Sequence, residues 1–90
     1  MFEWDEDKNQ SNIAKHGISF DLAKRIFEGP VFTFLDTRDD YGEDREISIG
    51  MVEGILILTV VHTEREDGII RLISARRATQ AERKRYENYL

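Results

Sequence analysis

The chain has no cysteine, one proline and only two histidines among its 90 residues. Without cysteine, neither disulfides nor thiolate metal sites can hold the fold, and the composition suits a reducing, cytoplasmic setting. No long hydrophobic run is present. The longest, Ile55–Val61, is interrupted by Thr59 and is far too short to span a bilayer. No secretory leader is expected, because Met1–Asn9 is acidic where a basic and then apolar segment would stand. There is no internal repeat and no low-complexity stretch. Cations are also in deficit: 13 Lys/Arg face 18 Asp/Glu, for a net charge of −5. That balance argues against bulk, non-specific nucleic-acid binding but leaves a local basic patch open.

What is present fits one soluble domain over residues 1–90, with 40% apolar and 34% charged residues. The charge is unevenly placed. Residues 71–90 carry six Lys/Arg against two Glu, a local +4, so residues 1–70 carry −9. An anionic partner is expected at the basic end.

The element pattern reads β-α-α-β-β-β-β-α. Phe2-Glu3-Trp4 alternates as an edge strand does. Asp5 suits an N-cap and Gly17 a left-handed stop, enclosing a mostly polar helix through about His16. Ser19 caps a second helix, with Phe20, Ala23, Ile26 and Phe27 at helical spacing and Gly29-Pro30 at its end. Strands are expected at Val31–Leu35, Arg45–Val52, Ile55–Thr63 and Ile69–Arg76, with the charged loop Asp36–Asp44 between the first two. Thr79 and Glu82 form a capping-box pattern for a final helix. The fold class is α+β, an antiparallel meander with its helices packed on one face.

Two-residue turns at Glu53-Gly54 and Asp67-Gly68 would pair Val52 with Ile55 and Glu66 with Ile69. Ser48, Thr59 and Arg76 then form one row on a polar face. Glu46, Val61 and Ser74 form the next, extended by Thr63 and Arg65. Ile47, Ile49, Met51, Leu56, Leu58, Val60, Ile73 and Ala75 fall on the opposite, core face. A slip of one residue would exchange the faces.

Arg76 is the leading candidate for chemistry. A guanidinium forks onto phosphate oxygens and keeps its charge, although a salt bridge at a strand end would explain it equally well. Arg65 has a similar case near a hairpin. His62 can shuttle protons but is expected near the rim of the core face, opposite Arg45, where a structural role is the better reading. Lys15-His16-Gly17 reads as a helix C-terminus. Tyr86 and Tyr89 pack more often than they react, and Glu82 is explained by capping. Arg77, Arg83, Lys84 and Arg85, with Lys15, are candidate RNA contacts, against the plainer reading of a solvated helix face. The two histidines are far apart, and the carboxylates of Asp36–Asp44 lack EF-hand spacing, so no metal or other cofactor is expected.

The segments FEWDEDKNQSNIAKHGISF, VVHTER and IIRLISARRATQAERKRY resemble the BrnT family of bacterial type II toxins. The family's F-x-W-D and K-x-x-x-N-x-x-K-H-G correspond to Phe2, Trp4, Asp5, Lys8, Asn12, Lys15, His16 and Gly17. T-x-R and I-S-A-R match Thr63, Arg65 and Ile73–Arg76, and E-R-x-x-Y matches Glu82, Arg83 and Tyr86. The resemblance implies a RelE-like fold and an endoribonuclease that arrests translation. It also implies a BrnA-type ribbon-helix-helix antitoxin, with DNA reached only through the toxin–antitoxin complex. On this reading Arg65 and Arg76 neutralise the phosphate, and His62, Tyr86 or Glu46 moves protons. The alternative is a non-catalytic module whose basic C-terminal region binds a partner protein.

Overall fold

A computed structural model describes residues 1–38, 40 and 42–90. Asp39 and Tyr41, part of the expected Asp36–Asp44 loop, lie outside the described residues. Local chemistry sets most element ends. Helix α1 (Glu6–His16) follows β1 (Phe2–Glu3) and opens where the Asp5 carboxylate accepts the Asp7 N–H. It closes at Gly17, whose φ of 70° is a left-handed conformation that glycine adopts without cost. Ser19 caps α2 (Phe20–Ala23), which tightens into a 3-10 segment, Lys24–Glu28, and not the longer α-helix its periodicity suggests. Strands β2 (Val31–Leu35), β3 (Glu46–Val52), β4 (Leu56–Glu64) and β5 (Ile70–Arg77) follow. Helix α3 (Gln80–Tyr89) carries the complete capping box between Thr79 and Glu82.

The strands form one sheet in the order β1-β5-β4-β3-β2. Neighbours from β2 to β5 are antiparallel, but β1 runs parallel to β5 through Phe2↔Ile70 and Glu3↔Arg71. The sheet is therefore mixed, and the expectation of a purely antiparallel meander is corrected. The helices also divide between its faces. One core gathers Ile18, Phe20, Ala23 and Ile26 against Val52, Leu58, Val60, Leu72 and Ala75. A second core joins Tyr86 of α3 to Ile49 and Ile57, with Phe32, Phe34 and Met51 around them. Strands β3 and β4 are buried on both faces, so both need cover.

The β3–β4 register is the main departure from expectation. Val52 pairs with Leu56, not Ile55, because the connection holds three residues, Glu53, Gly54 and the exposed Ile55. Glu53 and Gly54 both take positive φ, 60° and 72°. The extra residue exchanges the faces of β3. Ser48 and Gly50 turn to the α2 side, while Ile47, Ile49 and Met51 join Thr59, Val61 and Arg76. The expected pairings Thr59↔Arg76 and Val61↔Ser74 are present, and a bulge then leaves Ile73 as an extra residue before His62↔Leu72.

Candidate functional site

The α3 side of the sheet carries a polar row beside the second core. On β5 the residues facing this side are Arg71, Ser74 and Arg76, with Thr63, Val61 and Thr59 opposite them on β4. Arg76 is anchored from α3. Its Nη1 and Nη2 donate to the Glu82 carboxylate at 2.7 and 2.9 Å, and Nη1 also donates to the Arg77 carbonyl. Glu82 is fixed in turn by the Thr59 hydroxyl and the Thr79 N–H, at 3.1 and 2.8 Å. The Arg76 guanidinium, helped by these donors, holds the Glu82 carboxyl at about 2. Arg76 is raised by the same contact, while Arg38, forked onto Asp36, acts on it in the opposite direction. Among the described residues, nothing occupies the Nε–H and the remaining Nη2–H of Arg76. That edge is a preoriented fork for a planar or tetrahedral oxyanion.

The other candidates do not converge on Arg76. Arg65 stands at the far end of the ladder, since the stretch from Thr59 to Arg65 spans about 20 Å of extended strand. There it shares Glu3 with Arg71, at 3.0 and 2.9 Å, and ties β1 to β5. His62 lies on the α2 side, opposite Glu46 and not Arg45. Its Nε2 meets the Ser48 hydroxyl at 2.7 Å, Ser48 meets Thr33 at 2.7 Å, and the Phe27 ring packs edge-on against it. Burial pulls its pKa to about 4, so the ring is neutral at physiological pH. Tyr86 is buried beneath α3 and donates to the Pro30 carbonyl at 2.8 Å. Glu46 has turned to the His62 side with the β3 register. The expectation that His62, Tyr86 or Glu46 moves protons beside Arg76 therefore does not fit this geometry.

Among the candidate RNA contacts, exposed Arg85 stacks 5.1 and 4.6 Å from the Phe32 and Phe34 ring centres. Arg83 and Lys84 line a cleft of about 640 Å³ with Ala78, Gln80 and Glu87. Arg77 is exposed at the end of β5. Lys15 borders a separate groove beside β5.

Asn12 stands in the family pattern, but the sequence alone assigns it no role; in the structure it ties α1 to β5. Buried Asn12 pairs with the Ala75 backbone as a strand would, donating to its carbonyl at 2.7 Å and accepting its N–H at 3.1 Å. It also donates to the Ile18 carbonyl at 2.8 Å. Neighbouring Asn9 accepts the Phe20 N–H at the start of α2. The available signal was two asparagines three apart in a polar helix, which places both on one face. Among the described residues no three His, Cys, Asp or Glu side chains cluster to hold a metal ion. No described helix is long and apolar enough to cross a membrane.

A family model for the ribonuclease toxin BrnT of type II toxin–antitoxin systems matches residues 4–82. The crystal structure of the Brucella abortus ribonuclease toxin BrnT is similar to this one, with a TM-score of 0.71 and 35% sequence identity. That likeness covers 89% of this chain and 99% of the Brucella chain. A search of curated proteins finds no match. Membership in a type II system implies an antitoxin partner. With the family match running from Trp4 through α1, α2 and strands β2 to β5 as far as Glu82, the chain belongs to the BrnT family of ribonuclease toxins.

Proposed function

We propose that the toxin is a metal-independent endoribonuclease, with a RelE-like fold, centred on Arg76. The observation that carries this reading is the unoccupied Nε/Nη2 edge of a guanidinium held rigid by Glu82. A scissile phosphate docks on that edge. The RNA 2′ oxygen attacks the adjacent phosphorus, the bond to the 5′ oxygen breaks, and the products are a 2′,3′-cyclic phosphate and a 5′-hydroxyl. Arg76 stabilises the extra charge on the phosphorane oxygens. Glu82, held near 2, is too weak a base to take the 2′ proton and serves to position Arg76. The proton passes to water, and water protonates the leaving oxygen. Cleaving RNA in this way arrests translation. A BrnA-type ribbon-helix-helix antitoxin neutralises the toxin, and their complex contacts DNA through the antitoxin.

End-labelled RNA incubated in EDTA with wild type and with Arg76→Ala tests the mechanism. Wild type should cleave and leave a cyclic phosphate, while Arg76→Ala should be slower by roughly a hundredfold or more, the loss typical of one transition-state donor. The rate should also lack a histidine limb near neutral pH. Abolition by EDTA, or full activity in Arg76→Ala, overturns the assignment.

A further inference from the structure

A groove of about 240 Å³ lies between α1 and the edge of β5. Lys8, Ser11, Lys15 and His16 line its helix side, and Ile73 and Ser74 its strand side. The helix residues share one face by their spacing. None of the lining residues is a carboxylate, although the chain carries 18. Outside the C-terminal run Arg77, Arg83, Lys84 and Arg85, the other cations are committed. Lys24, Arg25, Arg65, Arg71 and Arg76 all make ion pairs. Lys8 and Lys15 make none among the described residues.

The groove is built into the fold. Asn12 clamps α1 to Ala75 and fixes the separation of its walls. The extra residue of the β5 bulge, Ile73, lies in the strand wall beside Ser74. Bulges of this kind re-aim neighbouring side chains. Ser74 faces the same side of the sheet as Arg76, two residues or about 7 Å along the strand.

We propose that this groove is a second phosphodiester subsite for single-stranded RNA. Lys8 and Lys15 hold a backbone phosphate neighbouring the one on Arg76, and the Ser11 and Ser74 hydroxyls donate to the sugar-phosphate oxygens. The contacts reach backbone and not bases, so the subsite positions RNA without reading its sequence. This inference rests on the ribonuclease reading above.

The test compares wild type with Lys8→Ala/Lys15→Ala on short single-stranded RNAs of different sequence. The double variant should raise Kd and KM about tenfold for every sequence and leave kcat nearly unchanged. The slope of log K against log salt should become shallower by roughly 0.7 to 1.4, the value for one or two lost contacts to a single strand. Lys8→Glu/Lys15→Glu should weaken binding further, which separates charge from any loss of fold. Lys24→Ala/Arg25→Ala, which removes equal charge from the 3-10 segment, should bind as wild type does. Equal loss in that control would assign the effect to overall charge and overturn the subsite. Unchanged Kd and slope in both lysine variants, beside a wild type that cleaves, would also overturn it while leaving Arg76 in place. Unchanged RNA binding with lost antitoxin binding would give the groove to the protein partner and reject the proposal. A wild type that neither binds nor cleaves RNA would remove the ribonuclease reading itself.

Discussion

Asn12 and His62 show how much single buried polar groups determine here. Asn12 satisfies three backbone groups at once where β1 no longer covers β5. Leaving them unpaired in a buried setting costs about 2–4 kcal/mol. Asn12→Ala should therefore lower urea-denaturation stability by that amount, and a loss under about 1 kcal/mol would show that water replaces the clamp. His62 makes stability pH-dependent. Its pKa is about 4 in the folded chain and about 6.5 when unfolded, so the unfolded chain binds the extra proton between those values. The stabilisation is fully present above pH 6.5 and is lost as pH falls toward 4, by at most about 3 kcal/mol. Denaturation across that window should show the slope in wild type and lose that component in His62→Gln. An identical slope in both would assign acid sensitivity to other groups. The sequence shows that His62 ends a central strand and favours a structural role for it. The hydroxyls it meets depend on the β3 register.

Element ends were legible because capping chemistry is local. Asp5, Ser19 and Thr79 each hold the N–H groups their positions require, and Gly17 takes the expected left-handed turn. Register was less legible. The Glu53-Gly54 pair is a correct turn signal, yet Ile55 joins the connection, and one residue exchanges both faces of β3. Apolar alternation could not correct this, because the sheet has a core on each side and Ile47, Ile49 and Met51 suit either. Gly50 held the missing information. In the observed register a β-carbon there would stand 2.7 Å from the Ile26 Cβ and 3.0 Å from Val31 Cγ1. Only a residue without a side chain lets the 3-10 segment approach so closely. Gly50→Ala should cost about 1–3 kcal/mol through overpacking. Retained stability with a shifted 3-10 segment in its crystal structure would mean that this segment yields where β3 does not.

At the scale of the whole molecule, the charge asymmetry visible in the sequence acquires a direction. Arg76 and the α1 groove share one end of the sheet face, while Glu64, Glu66 and Asp67 surround Arg65 at the other. Asp44 and Glu46 add to that acidic end. An approaching polyanion is repelled there and drawn to the Arg76 end, the orientation that the proposed RNA site requires of an acidic protein. Glu64→Gln/Glu66→Gln removes part of the repulsion without touching the proposed contacts. Its association rate with single-stranded RNA should rise about two- to threefold near 50 mM salt. At 0.5 M salt the Debye length is about 4 Å and the two proteins should associate at the same rate. Dissociation should be unchanged at both salts, because no bound-state contact is altered. Stopped-flow fluorescence across a salt series separates these quantities. A gain that persists at high salt, or that appears in the dissociation rate, would mean that RNA touches the hairpin end directly and that Arg65 belongs to the binding surface.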